Sequence, residues 1–367
     1  MTAYPGGSWR ARALSLALAG RTDAARQQRV LQQRLERGDE CRPPQVADAL
    51  WAQEQWGSAD EATVRRGRSR LDALGGRFLL VDEPAYPDAL RAAWPELGAP
   101  LWLFTSGRPL CVADTIAVAV VGTRTPTLDG LRTTRSVAGA LARAGAVVVS
   151  GLARGIDQAA HDAALEAGGQ TIAVLGTGLG VDYPAGSASL RSAIVDSGTL
   201  LTEFAPGVGP RPWHFLARNR IISGLAVATV VVEGGPTSGA LQTARMAAGQ
   251  GRDVWAVPGS INAPTSQAPL ALLRDGAHPL TSVDVFLEAL GLQGDGSERT
   301  ADGGHAPAID GLSHEARTIL RLLGAVPATT DALVAAARLP VDTTMAAVAE
   351  LIQSGFAVAT RRGVVRP

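Results

Sequence analysis

Along the first 75 residues, apolar side chains recur at helical intervals. Val30, Leu31 and Leu35 lead up to Gly38, and Val46, Leu50 and Trp51 lead up to Gly57. Ser58-Ala-Asp-Glu61 reads as a capping box for a third helix, backed by Val64, Leu71 and Leu74. The spacing predicts a small helical module over 1–75, of the SAM or helix-hairpin-helix kind. It lacks a Gly-x-Gly hairpin, which favours a packing role over a DNA contact.

From about residue 77 the pattern changes. Short apolar runs predict strands over 116–121, 146–149, 171–175, 199–201, 228–232 and 253–257. Helical stretches fall between them, for example 131–143, 158–167 and 241–248. Apolar strands separated by helices indicate an α/β fold, a Rossmann-like doubly wound parallel sheet over 76–290. Ligands of such sheets bind beyond the carboxyl ends of the strands. The loops there are Gly122-Thr-Arg124, Ser150 to Asp157, Gly176 to Pro184 and Glu233 to Gly239, and they are expected to share one rim.

Residues 291–308 are rich in Gly, Asp and Ser without a period and read as a flexible linker. Beyond it, helices at 313–323, 331–338 and 342–354 and a hairpin at 358–366, with Gly363 near its turn, predict a winged-helix domain over 309–367. The third of these helices has acidic residues and no arginine, whereas a recognition helix in a major groove favours a basic or amide-rich face. Arg361 and Arg362 in the wing are candidates for phosphate. Protein contact or weak backbone binding is expected of this tail.

The chain has 367 residues, 46% of them apolar, and its 34 basic side chains balance 34 acidic ones. Any nucleic-acid site must therefore be local. Every basic side chain other than histidine is arginine, which composition alone can explain. The absence of lysine still excludes a Walker-A loop and a lysine Schiff base. Arginine clamps phosphate through two parallel hydrogen bonds and stacks on rings. Cys41 and Cys111 form neither a CxxC pair nor a disulfide framework, which fits a reducing cytoplasm. No signal segment and no apolar run of about 18 residues is present, so no membrane association is expected.

Ser150-Gly-Leu-Ala-Arg-Gly-Ile-Asp157 carries the strongest chemical signal. Gly151 and Gly155 allow a tight turn that aims amides and a helix N-terminus at one point, and Arg154 adds charge there. Asp157 is expected to cap the helix rather than act as a base, and His161 to be packed. Arg124 reads equally as a phosphate ligand or as a structural arginine tied to a carboxylate. Arg211, Trp213, His214, Phe215, Arg218, Asn219 and Arg220 interleave rings with guanidiniums, as single-stranded nucleic acid requires. At least one of Arg218 and Arg220 is expected to be structural, because residues two apart on a helix face different ways. Ser238 and Gly239 offer further donors, and Glu233 is expected to orient an arginine such as Arg220 or Arg154. Gly176-Thr-Gly-Leu-Gly180 fails the dinucleotide spacing. No metal spacing, nucleophile elbow or cofactor motif is present.

In these motifs the chain resembles the DNA-processing protein A (DprA/Smf) family. The resemblance rests on Val121-Gly-Thr-Arg124, the 150–157 loop with Ala160-His161, Tyr183-Pro184, Arg218-Asn-Arg-Ile-Ile222, Gly224-Leu225, Ser238-Gly239 and Ala256-Val-Pro-Gly259. Tyr86-Pro87 and Leu90 match the segment before the core. The family pattern is departed from at Ser187, Thr202, Leu216, Ala268 and Leu270, and only Arg211 or His214 can replace a basic residue usual before Phe215.

The resemblance implies a non-enzymatic recombination mediator. Such a protein binds single-stranded DNA, forms a homodimer through its core and loads the RecA recombinase onto incoming DNA in natural transformation. It implies no cofactor, and a strand-binding set of Arg124, Ser150, Gly151, Arg154, Gly155, Phe215, Arg218, Asn219, Arg220, Ser238 and Gly239. Two other readings compete. A nucleotide phosphoribohydrolase-like enzyme would use Glu233-Gly-Gly-Pro-Thr as a phosphate loop, but Gln242 stands where its glutamate would be expected. A partner-binding adaptor would keep its arginines for structure.

Overall fold

Strands that read Ala-Val-Ala-Val-Val or Val-Val-Val-Ser cannot leave one face in water, and the architecture covers both. The computed structural model describes residues 61–81, 83–92, 99–100, 102–110, 115–292, 312–323, 328–337, 339–354, 356–360 and 363–365, with Leu14, Ala17 and Leu18. By contact they fall into two compact units, Met1–Gly294 and Asp295–Pro367.

The described residues of the first unit include α1 (Glu61–Ala73), β1 (Arg77–Leu80), α2 (Asp88–Ala92) and β2 (Trp102–Gly107). The alternating region follows with β3 (Ala117–Val121), α3 (Leu128–Arg143), β4 (Val147–Ser150), α4 (Ile156–Glu166), β5 (Thr171–Val174), α5 (Ala188–Ser197) and β6 (Thr199–Thr202). It continues with α6 (Pro212–Leu225), β7 (Ala228–Val231), α7 (Gly239–Gly249), β8 (Asp253–Ala256), α8 (Gln267–Arg274), β9 (His278–Pro279) and α9 (Val283–Ala289). The nine strands form one sheet in the order β1-β2-β6-β5-β4-β3-β7-β8-β9. From β6 to β9 every neighbour is parallel. At the other edge β2 runs antiparallel to β6, and β1 to β2. The chain builds outward from β3 to β6, then returns to the far side of β3 with β7. This reversal opens a crevice beyond the carboxyl end of β3.

Successive strand residues point to opposite faces. Ala117, Ala119 and Val121 enter one apolar layer with Ile221 and Ile222 of α6. Val118 and Val120 enter the other with Val137 of α3 and Ile156 of α4. The six strands expected from the sequence form within a residue or so of their predicted ends. The antiparallel pair β1 and β2 was not anticipated; Phe78 and Phe104 face each other in its register, rings 5.3 Å apart. Leu71 of α1 is buried in the same layer as Phe78 and Leu18. The earlier predicted helices, with Val30, Leu31, Leu35, Val46, Leu50 and Trp51, lie outside the described residues.

His161 packs in α4, as expected, with no exposed surface. Its Nδ1 stands 2.7 Å from the Thr171 hydroxyl, whose proton goes to the Val148 carbonyl at 2.7 Å. The Thr171 oxygen must therefore accept, which places the imidazole proton on Nδ1. Burial, then the Arg218 charge, lowers the His161 pKa to about 3.

The second unit contains α10 (His314–Leu322), α11 (Thr330–Ala337), α12 (Val341–Gln353) and the hairpin β10 (Val358–Thr360) and β11 (Gly363–Val365). Its own core joins Ile319, Leu333, Val348, Leu351 and Val364. Ser313 donates its amide (2.7 Å) and hydroxyl (2.6 Å) to Glu350, tying α12 to the start of α10 and holding that carboxyl below its ordinary range. Arg361 and Arg362 lie outside the described residues. Among the described residues no helix alone is long and apolar enough to cross a membrane, and no cluster of His, Cys, Asp and Glu suits a metal ion.

Candidate nucleic-acid interface

Four loops leave the carboxyl ends of β3, β4, β5 and β7, and they are locked to one another. The Ile156 amide donates to the Thr123 carbonyl at 3.2 Å, joining the β4 loop to the β3 loop. Gly155 sits at φ +86°, and a Cβ there would stand 2.5 Å from the Thr123 carbonyl oxygen. Only glycine meets both demands.

Two buried charges hold the β4 loop. The Asp157 carboxylate accepts from the amides of Gly151 (3.2 Å) and Ala153 (3.4 Å), around Leu152 at φ +57°. A non-glycine residue in this region is strained and persists where its neighbours enforce it. Arg218 reaches up from α6 and donates to the Gly151 carbonyl at 2.5 Å and to the Val174 carbonyl at the end of β5. Burial pushes the Asp157 carboxyl up, while Arg218 and the amides of Ala153, Gly122 and Gly151 draw it back. Burial lowers the Arg218 pKa to about 10, with Asp157 opposing that fall and Arg124 adding to it. Asp157 therefore fastens the loop before its helix; the N-cap position itself belongs to Gly155, correcting the expected cap.

Above this floor lies an open cavity of about 720 Å³. Pro212 starts α6, and Phe215, Arg218, Asn219 and Ile222 share the helix face that lines the cavity. The Phe215 ring is 5.1 Å from that of Tyr183, and the Arg124 guanidinium lies 6.0 Å from its centre. Such a cation stacks on the ring while its N–H groups remain available. On the opposite wall, Ser238 caps α7 by accepting from the Leu241 amide at 3.3 Å, and Gly239, Ala240 and Thr243 continue the lining. Asn219 donates to the Gly239 carbonyl at 3.4 Å, fixing α7 against α6. The positive end of the α7 dipole thus borders a cavity lined by Arg124, Arg211 and Arg218.

The residues singled out in the sequence take four kinds of position. Arg124, Phe215, Arg218, Asn219, Ser238 and Gly239 line the cavity together. Ser150, Gly151 and Gly155 shape it from beneath: Ser150 is fully buried and donates to the Val120 carbonyl at 2.6 Å, so its hydroxyl is not available to a ligand. Arg154 is exposed beside the cavity and reaches the Ala185 carbonyl at 3.4 Å. Arg220 is not in the cavity. It makes a bidentate ion pair with Glu203, at 2.7 and 2.9 Å, and is buried on the other side of α6. Glu233 orients neither Arg220 nor Arg154; it accepts from the Thr127 amide (2.9 Å) and hydroxyl (2.6 Å) at the start of α3. Thr123, Tyr183, Pro210 and Thr243 also line the cavity. Tyr183 stood in a recognised motif, but no sequence signal marks its ring as the neighbour of Phe215.

The family model for DNA recombination-mediator protein A matches residues 77–291. The chain belongs to this family. A second match, the DprA winged helix domain, spans residues 304–351. The DNA processing protein DprA of Streptococcus pneumoniae is 39% identical over 249 residues, which are 68% of this chain and 83% of that one. The X-ray structure of DNA processing protein A from the same species superimposes with a TM-score of 0.59 at 34% identity, covering 75% of this chain and 95% of that one. DNA processing protein A from Helicobacter pylori, whose structure addresses its single-stranded DNA binding mode, superimposes with a TM-score of 0.53 at 28% identity, covering 59% of this chain and 95% of that one. In this family member the cavity falls inside the span matched by the recombination-mediator model.

Proposed function

We propose that the chain binds single-stranded DNA in the cavity between α6 and α7 and acts as a recombination mediator. The observation that carries this is Phe215, held between Tyr183 and Arg124 at the mouth of an arginine-lined cavity. An unpaired base stacks on the ring, at about 1–3 kcal/mol per base, and the guanidiniums take the flanking phosphates. The N-terminus of α7 offers a further phosphate seat. Duplex DNA hides its base faces and gains nothing from the ring.

The reading is non-enzymatic. Asp157 is the only carboxylate among the described residues that line the cavity, and its charge is engaged by backbone amides. Ser238, the serine of the lining, caps α7. A phosphoribohydrolase-like role for Glu233 is disfavoured because that carboxylate is engaged at the start of α3. The likeness to the Helicobacter pylori protein supports the choice of ligand. Family membership supports the finer reading: a cytoplasmic homodimer that passes the strand to RecA during natural transformation, with helical, core, linker and winged-helix parts near 1–75, 76–290, 291–308 and 309–367.

Titration of labelled oligonucleotides at several salt concentrations tests the proposal. Single strands should bind more tightly than duplex, with log K falling by about 0.7 per phosphate neutralised for each unit of log salt. Equal affinity for duplex, or indifference to salt, would overturn it.

A further inference from the structure

We infer that the exposed arginine face of α1 is a second nucleic-acid contact, which takes the phosphates of a strand after it leaves the cavity past Arg211. The inference rests on the single-strand reading of the cavity and extends it to a surface that reading does not use.

α1 concentrates charge in a chain that has none overall. Arg65, Arg66, Arg68 and Arg70 stand on this one helix, against Glu61 and Asp72. Leu71 turns inward and is 4% exposed, and Val64 packs partly beside it. At 100° per residue Arg65 and Arg66 stand on the side away from Leu71, while Arg68 and Arg70 lie on opposite edges of that outer face, and all are exposed. No large apolar side chain shares that outer face, which argues against a membrane surface. Arg65 lies 3.5 Å from Glu61, with both side chains open to water. Such exposed pairs contribute little and exchange readily for a phosphate.

Placement connects this face to the cavity. The Leu74 carbonyl just beyond α1 accepts from the Ser106 hydroxyl of β2 at 2.9 Å. The Arg70 guanidinium lies on the backbone of Gly207, where a Cβ would stand 1.8 Å from its Nη1. The Gly207 loop is tied to the loop after β5: its amide donates to Leu179 at 2.9 Å, and Gly178 donates to Val208 at 2.8 Å. This loop runs directly into Pro210 and Arg211, which line the cavity. The Arg66 and Arg70 edge of α1 thus adjoins the cavity wall on the Arg211 side, with Arg65 and Arg68 further around the helix. Arginine forks on a phosphate from several angles, as a flexible single strand requires.

The test compares the full chain with Arg65→Gln/Arg66→Gln/Arg68→Gln, which keeps Arg70 on Gly207. Oligothymidylates of about 6 and about 20 nucleotides lie near the lower end of, and beyond, the roughly 4–16 nucleotides that single-strand sites cover. The short strand should bind both proteins within about twofold. The long strand should bind the variant roughly tenfold more weakly near 0.15 M salt, with its log–log salt slope smaller by about 2, which is three contacts at about 0.7 each. Replacing the same arginines by lysine should restore most of the slope. An unchanged long-strand affinity overturns the inference, and so does equal weakening of both lengths. Failure of the unaltered chain to bind the short strand would instead overturn the reading of the cavity.

Discussion

Arg220 separates a structural arginine from a ligand-binding one, and the separation can be measured. Its guanidinium and the Glu203 carboxylate are bonded at 2.7 and 2.9 Å, with side-chain exposures of 11% and 1%. Burial alone would lower the Arg220 pKa, but Glu203 outweighs it and raises that pKa. Removing one partner strands the other charge in the interior, at a cost of about 3–5 kcal/mol. Domains of this kind are stable by only about 5–15 kcal/mol. Arg220→Ala should therefore remove a fifth or more of the stability, read as a lower urea midpoint. It should also weaken DNA binding, but only through unfolding. The double variant Arg220→Met/Glu203→Leu decides between the causes. Replacing a buried pair by apolar residues of similar size is often neutral or stabilising. Its midpoint should return close to that of the unaltered chain, and its affinity for single strands should match within about twofold. A double variant that is stable yet fails to bind would show that Arg220 touches the strand, refuting its placement outside the cavity.

Phe215→Ala should cost about 1–3 kcal/mol of single-strand affinity, roughly 5- to 150-fold, while Phe215→Tyr retains most of it; equal affinity of all three proteins in an anisotropy titration would remove the stacking role. Gly151→Ala places a Cβ 2.2 Å from Arg218 Nη1, so Arg218 must give up the Gly151 carbonyl, and both the urea midpoint and strand affinity should fall; a variant with neither change would show that the clasp is slack. His161 has a folded pKa of about 3 against an ordinary 6.5, so the unfolded chain binds the extra proton between those values and stability falls as pH drops through that window. At pH 5 this amounts to about 2 kcal/mol relative to neutral pH, and His161→Gln should flatten the pH dependence of the urea midpoint by about that much; an unaltered profile would refute the assignment.

The alternating region was legible because unbroken apolar runs have few ways to be covered. Ala117–Val121 and Val147–Ser150 announce buried parallel strands by composition alone. The edge strands β1 and β2 were not legible. Their partners are set by long-range pairing, Phe104 against Thr202 and Phe78 against Phe104, which no local period records. The candidate site was legible as a set of motifs but not as a division of labour. Spacing showed that Arg218 and Arg220 face different ways. It did not show which one meets a buried glutamate, because Glu203 comes from the end of another strand.

Local chemistry in the chain determined the fold class, the rim of loops and the residue types that suit a phosphate polymer. Those properties depend on hydrophobic period, glycine placement and side-chain inventory, all of which are written along the backbone. Only the tertiary structure decided which charges are already spent. Glu203 neutralises Arg220, backbone amides engage Asp157, and the start of α3 engages Glu233. Arg124 and Phe215 are left at the mouth of the cavity and the arginines of α1 in solvent. A buried charge must find its partner wherever the chain brings one, so its role follows from position in space and not from position in sequence.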